Sequence, residues 1–402
     1  MSSVALTVGA ARRALGIMAP DLDGDDLLAA YARAIWSVLV EPGDRVAGAL
    51  VDALGAVRAL EVALGGSSVA AATEHAELAA AEVAQGRKRW GPRVGDVERA
   101  LDLSRRSGVR LITPDDGQWP ARAGDLGPFA PICLWVRGDL RRVRPPGRAI
   151  AIVGARAASS YGEHVAAELA AEAAAVGVSV FSGAAYGIDA AAHAAALSAG
   201  GHTVAVMAGG LDRAYPVGNS SLIDRIAASS AVISEVPCGT TPTKHRFLAR
   251  NRLISAFTDA TIVVEAGWRS GSINTAHHAQ AIGRPVGAVP GPITSASSMG
   301  CHRLLREGDA VCITGIRDVC ELIGADTDGG ATLPAEYTDD RVRVLDAMSA
   351  RSPRSAEDIA RRAGFAGDEV AALLGFLELD GVVARRADGW VQLTGTKAAT
   401  LW

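Results

Sequence analysis

The feature that most constrains the fold is a change of rhythm at Ala149. From there short β-rich runs recur, AIAIVGA, VSVFSG, HTVAVMAG, AVISEV, TIVVEAG, PVGAVPG and AVCIT. Helical stretches separate them, starting near Tyr161, Gly187, Asn219, His245, Gly271 and Met299. Apolar strands alternating with helices predict a parallel sheet covered on both faces. The fold class is therefore α/β, a doubly wound sheet, and its ligand belongs beyond the carboxyl ends of the strands.

Around this domain the chain reads in segments. Residues 1–24 look like a loose extension. Residues 25–86 are Ala- and Leu-rich and helical, with breaks at Pro42-Gly43 and at Gly65–Ser68. A plain structural bundle and a short element gripping a nucleic-acid backbone both stay open there. Residues 87–322 form the α/β domain with its lead-in, which holds RKRW (Arg87–Trp90), the Asp115–Pro120 turn, the strand-like ICLWVRGDL and the linker-like RRVRPPGR. A Gly/Asp-rich linker covers 323–336. Residues 337–402 read as three helices and a hairpin around Asp388-Gly389, a winged helix, with Ser355 to Asp358 as an N-terminal capping signal.

Composition excludes several classes. The 402 residues carry a net charge of −4, so wholesale coating of a polyanion is out and any such site is local. Five scattered cysteines form no C-x-x-C pair, which suits reduced thiols in a cytoplasmic protein and offers no zinc site. His277 and His278 are helix neighbours pointing apart and cannot chelate one metal. No apolar run is long enough to span a bilayer, so no membrane partner is expected. The loop after the first strand of the domain lacks G-x-G-x-x-G, and neither G-x-x-x-x-G-K-[ST] nor G-x-S-x-G occurs. NAD, ATP and a hydrolase elbow therefore have little support, and no cofactor is predicted.

The strand ends instead gather hydroxyls, glycines and arginines. Arg156 stands beside a helix start at which Ser160 and Glu163 are spaced as a capping box, a place for a phosphate or simply a turn with a solvated arginine. Ser182 and Gly183 follow the second strand, and Gly271 and Ser272 open a helix after the fifth. Asp189, His193 and Glu265 fit pocket-lining polar groups better than an acid–base set. Between the fourth and fifth strands lies TPTKHRFLARNRLISAF, with Lys244, His245, Arg246, Arg250 and Arg252 and no acid. Arg246 and Arg250 share a helix face. With Phe247 and Asn251 among them, they suit a single-strand platform on which bases stack while arginines follow phosphates. A solvated basic face with Phe247 in the core is the competing reading.

In series, GARAASSYG, SGAAYGIDAAAH, YPVGN, ISEVPCGTTP, RFLARNRLIS, VVEAGWRSGSINTA, AVPG and MGCHRLLREGDAV cover about residues 149–315. This chain resembles the DprA/Smf family of bacterial DNA-processing proteins of natural transformation. QWPARAGDL and CLWVRGDL are similar to that family's lead-in, and the N-terminal helices to its small SAM-like domain. The resemblance implies an extended Rossmann-like domain that binds single-stranded DNA without catalysis, protects it, and helps load RecA recombinase. It further implies a homodimer formed through the α/β domain. Carried over by motif, Arg156 grips a phosphate, Ser182 and Gly183 offer close backbone contact, and Lys244 and Phe247 clamp and stack. Arg250, Asn251 and Arg252 complete the pocket, and Gly271 and Ser272 line it.

Two departures stand out. The family's F-P-x-R-N-R is Phe247-Leu-Ala-Arg250-Asn251-Arg252 here, and Val217 occupies a place that is basic in some relatives. The expected recognition helix of the winged domain, Gly367–Asp380, has four acids and no Lys or Arg. That composition points to a protein-interaction or regulatory module, since a groove reader needs cations or amides. The alternative in a different class is a nucleotide hydrolase like the phosphoribohydrolases, whose P-G-G-x-G-T loop is AGWRSGS in this chain.

Overall fold

The computed structural model describes residues 4–66, 76–144, 147–325, 339–349, 352–379, 381–386 and 388–393. The chain divides into two compact units, Met1–Gly329 and Gly330–Trp402. Among the described residues the first unit opens with α1 (Val8–Leu15), α2 (Gly24–Leu39), α3 (Arg45–Leu54), α4 (Ala56–Leu64), α5 (Ala80–Trp90) and α6 (Val97–Arg106). Two strands follow, β1 (Arg110–Ile112) and β2 (Leu134–Gly138).

Every apolar run predicted after Ala149 is a strand. These are β3 (Ala149–Val153), β4 (Ser179–Ser182), β5 (Thr203–Met207), β6 (Ala231–Ser234), β7 (Ala260–Val263), β8 (Val286–Ala288) and β9 (Val311–Cys312). The crossovers between them are α7 (Ser160–Ala175), α8 (Ile188–Ser198), α9 (Ser220–Ser229), α10 (Lys244–Ala256), α11 (Gly271–Ala281) and α12 (Met299–Glu307), and α13 (Ile316–Ile323) closes the unit. The sheet order is β1-β2-β6-β5-β4-β3-β7-β8-β9. From β6 to β9 all pairings are parallel, and β1 and β2 add an antiparallel edge, Val136 opposite Ile233. The order reverses between β3 and β7, where Ala151 pairs with Phe181 on one side and Thr261 on the other. That reversal opens the crevice where such sheets hold ligands.

Strand alternation divides the core in two. Val204 and Val206 of β5 pack in one layer with Leu253 and Ile254 of α10 and Ile273 of α11. Ala205 and Met207 pack in the other with Trp135 and the N-terminal helices. This second layer corrects two sequence expectations. Residues 1–24 are not a loose extension: Ala11, Leu15 and Met18 are buried in that core. Met18 O also accepts the Leu111 N–H at 3.0 Å, covering the free side of β1. An eight-residue helix with one apolar stripe is too short to stand out in the sequence. A boundary at 86/87 also fails, because it falls inside α5. Trp90 of that helix packs edge-on against Trp36 at 5.1 Å, and its Nε1 donates to Asp44 Oδ2 at 3.0 Å. The two arginines of RKRW are bound here, Arg87 on Val62 O and Arg89 on Asp44.

The second unit contains α14 (Asp339–Asp346), α15 (Ala356–Ala363), α16 (Gly367–Leu379) and the antiparallel pair β10 (Val383–Arg386) and β11 (Gly389–Gln392). Ser355 caps α15 by accepting the Asp358 N–H at 3.2 Å. Val344, Ile359, Val370, Leu374 and Val383 form its core. Residues 326–336 of the expected linker, residues 1–3 of the extension, and Asp380 lie outside the described residues. Among the described residues no helix is long and apolar enough to cross a membrane.

Candidate nucleic-acid interface

Beyond the carboxyl ends of β3 and β5, against the first turns of α10, the loops enclose a cleft of about 350 Å³. Arg156, Tyr215, Lys244, Phe247, Asn251 and Gly271 help line it. Thr243 caps α10, its Oγ1 accepting the Arg246 N–H at 3.3 Å, and so sets the helix start at the cleft mouth. Phe247 is the centre of the arrangement. The Arg156 guanidinium lies 4.7 Å from its ring centroid, and the Tyr215 ring 5.5 Å from it at a tilt of 49°. Arg156 and Lys244 are exposed. The site thus offers π-faces and two open cations together, the pairing that stacked bases and a phosphate chain require.

The loops that hold this cluster are welded to each other. Asp189 is buried at the start of α8, and its carboxylate accepts the Gly183 N–H at 3.1 Å and the Ala185 N–H at 3.4 Å. Burial pushes the Asp189 carboxyl up, and Arg250 and those N–H groups act against it. Asn219 donates to Ala184 O and Ala185 O at 3.0 and 3.1 Å, tying the Tyr215 loop to the loop after β4. Ala184, at φ 53°, sits in the left-handed region under that clamp. Two glycines are required by space. A Cβ on Gly183 would stand 2.0 Å from the Arg250 guanidinium, and one on Gly187 (φ 73°) 2.4 Å from Ala155 O.

The predicted site residues divide into those facing the cleft and those beneath it. Arg250 lines the cleft but is buried. It donates to Val206 O, and desolvation lowers it to about 10 against the pull of Asp189. Arg252 is turned away: Nη1 and Nη2 each reach Glu235 at 2.7 Å, and Nε donates to Phe129 O at 2.9 Å. The expectation that it completes the pocket is corrected, because a buried arginine two residues beyond Arg250 meets the largely covered carboxylate of Glu235, not solvent. Ser182, expected to offer close backbone contact, is fully buried, and its hydroxyl donates to Ile152 O at 2.6 Å. Asn251 donates to Gly271 O at 3.2 Å, pinning the start of α11, where Ser270 is the cap. Ser272 is buried against Ser270 Oγ at 2.7 Å. Arg246, expected to share an open face with Arg250, is bound to Glu41 by Nε at 2.9 Å and Nη2 at 2.8 Å.

The start of α7 also differs from expectation. Its cap is Ser159, not Ser160; Ser159 Oγ accepts the Gly162 N–H at 3.1 Å. Glu265, at the end of β7, takes the Ser159 N–H at 2.9 Å and the Ser159 and Ser297 hydroxyls at 2.5 and 3.0 Å. A buried carboxylate therefore fills the anion slot at the topological switch point where a mononucleotide phosphate would lie. His193 is buried with Nδ1 2.7 Å from Thr203 Oγ1, and desolvation drives it down to about 3, so it is neutral. Asp189, His193 and Glu265 each have separate partners and form no acid–base set. Among the described residues no group of His, Cys, Asp and Glu could hold a metal.

Residue-level reading missed Tyr215 and Tyr186. Tyr215 sits in YPVGN, which reads as a turn. Tyr186 accepts the Gly218 N–H at 3.3 Å, so both tyrosines join the loops that frame the cleft. An aromatic within three residues of a glycine, in a loop that follows a strand, is the signal that was available.

Fold and cleft define a Rossmann-like α/β protein with a C-terminal winged helix. The family model for DNA recombination-mediator protein A matches residues 110–324, and that for the DprA winged helix domain matches residues 330–389. A Mycobacterium tuberculosis protein described as a DNA processing protein DprA is 43% identical over 316 residues, covering 73% of this chain and 80% of its own. Protein Smf of Escherichia coli is 36% identical over 310 residues, 74% and 81% of the two chains. The X-ray structure of DNA processing protein A from Streptococcus pneumoniae superposes with a TM-score of 0.58 at 30% identity, over 72% of this chain and 95% of that one. The chain belongs to the DprA/Smf family of DNA-processing proteins.

Proposed function

We propose that the protein binds single-stranded DNA without sequence specificity in the cleft around Phe247, shields it, and helps load RecA recombinase on it during DNA uptake and transformation. The observation that carries the reading is the Arg156–Phe247–Tyr215 cluster, a stacked cation and two rings facing an open cleft at the carboxyl ends of a parallel sheet. Every base has a π-face, so such a platform accepts any sequence. A duplex keeps its bases in the stack, and extracting one costs a few kcal/mol. Single strands are therefore the ligand the cleft favours. Asn251 and Gly271 line the cleft wall, and Gly183, Arg250 and Ser272 act from below, holding the loops at the spacing the strand needs.

The protein is a binding protein and not an enzyme. Two carboxylates at strand ends beside the cleft, Asp189 and Glu265, are buried and occupied by backbone N–H groups. The RecA and homodimer readings rest on the family resemblance, with the α/β unit as the dimer-forming part in the cytoplasm. The three described acids of α16, Asp368, Glu369 and Glu378, together with exposed Phe376, support a protein partner for the winged helix.

Fluorescence anisotropy of labelled oligo-dT against a duplex of equal length, across a salt series, tests the reading. Expected is a strong single-strand preference and a negative slope of log K on log salt. Equal binding of both would end it. Light scattering at twice the chain mass would support the dimer, and RecA filament growth on a pre-coated strand would test loading.

A further inference from the structure

Exposed rings follow the strand order along the carboxyl edge of the sheet. Tyr215 belongs to the loop after β5, Tyr186 to the loop after β4 and Trp268 to the loop after β7; they are 45%, 49% and 47% exposed. β5, β4, β3 and β7 are consecutive neighbours, with Arg156 in the loop after β3. At about 4.8 Å per strand the row extends across roughly 14 Å. Trp268 lies just outside the cleft, in the turn closed by the Ser270 N–H on Gly267 O at 3.0 Å, immediately before Gly271 of the cleft wall. Arg303 of α12 lies 5.1 Å from the indole centroid, and it is kept there by Glu307 at 3.6 Å. Arg269 beside the indole is exposed.

We propose that Trp268 is a further stacking station for the single strand, one base beyond the Phe247 cleft, with Arg269 on the adjoining phosphate. The inference rests on reading the cleft as a single-strand site. Its physical basis is threefold. The ring is large, half-exposed and braced from one face by a cation, so little freedom is lost when a base covers the other face. Its position continues the line of Tyr215, Phe247 and Arg156 across the switch point. Its flank carries an open cation and no exposed acid within the Gly267–Gly271 turn, the charge pattern a phosphate chain needs.

The test compares the full chain with Trp268→Ala, Trp268→Phe and Phe247→Ala on two oligo-dT probes, one just long enough to fill the cleft and one several nucleotides longer. Trp268→Ala should weaken the longer probe roughly 5- to 100-fold and leave the shorter one unchanged. Trp268→Phe, which keeps a ring, should restore most of the loss. Intrinsic fluorescence gives an independent readout: the quench on adding the longer probe should be larger in the natural protein than in Trp268→Phe. Unchanged affinity of Trp268→Ala for the longer probe, with Phe247→Ala still defective, overturns this inference and leaves the cleft reading intact. If Phe247→Ala also binds both probes normally, the cleft reading itself falls.

Discussion

Helix α10 lines the cleft and the turn before α11 borders it, and the two use their charges in opposite ways. From Lys244 to Arg252 the helix carries five basic side chains and no acid. Yet only Lys244 and His245 are exposed; Arg246 is tied to Glu41, Arg250 to Val206 O and Arg252 to Glu235. The turn has a single arginine, Arg269, and it is exposed beside Trp268. Local density of positive charge thus measures scaffold as much as ligand. An arginine drawn out of solvent needs a partner, and the helix has placed three, buried Arg250 and Arg252 and half-buried Arg246, within reach of one.

The largest effect expected from this contrast is on folding. Arg252→Ala would leave the Glu235 carboxylate, 12% exposed, without its bidentate partner. Stranding a buried charge costs about 3–5 kcal/mol. Urea unfolding should show a loss of that order, while the fraction still folded binds oligo-dT normally. A variant that keeps its stability and loses DNA binding would return Arg252 to the pocket and erase the distinction between the two regions.

Phe247→Ala addresses the other side of the comparison. Its ring is half-buried between Arg156 and Tyr215, so its removal should spare folding. Single-strand affinity should fall by about 1–3 kcal/mol, the worth of one stacked base. Anisotropy at fixed salt reads this directly. A variant that unfolds instead would make Phe247 a core residue, the competing reading left open by composition.

How much of this was legible in the sequence depends on how far each residue must look for its partner. The strands and crossover helices could be read locally, because β-branched runs such as AIAIV and TIVV are bounded by glycines and turns. The cleft's position followed from that order through the switch-point rule. The cap of α7 was off by one residue: Ser159 and Ser160 are both hydroxyls, and only the backbone decides which one meets Gly162. The fate of Arg246 was not legible, since Glu41 lies 205 residues away in the chain. The same holds for the first 24 residues, whose short helix gains meaning only when Trp36 and β1 are there to be covered.

Arg156→Ala should have a smaller effect, and a differently shaped one. Arg156 is exposed, and its guanidinium lies against the Phe247 ring at the open cleft. Losing one phosphate contact should lower the salt slope on a single strand by about 0.7 and weaken binding most at low salt. Titrations at several salt concentrations separate this from Phe247→Ala, which should shift affinity with little change in slope. Equal slopes for Arg156→Ala and the natural protein would mean that the guanidinium braces the ring and touches no phosphate.

The smallest effect belongs to the most remote partner. Burial pushes the Glu41 carboxyl up, but the hydrogen bonds and charges of Arg246 and Arg93 outweigh it and hold the group below the ordinary glutamate range. A carboxyl whose folded value is depressed contributes stability above its unfolded value, about pH 4.3, and loses that contribution as the pH falls through the lower folded value. Glu41 is 35% exposed, so solvent screening keeps the pair to about 0–1 kcal/mol. Glu41→Gln should therefore cost at most that much at neutral pH, and its unfolding curve should approach that of the natural protein as the pH drops below 4. A deficit that persists at low pH would show that Glu41 acts through the packing of the α2–α3 connection, in which case Arg246 is held by shape and not by charge.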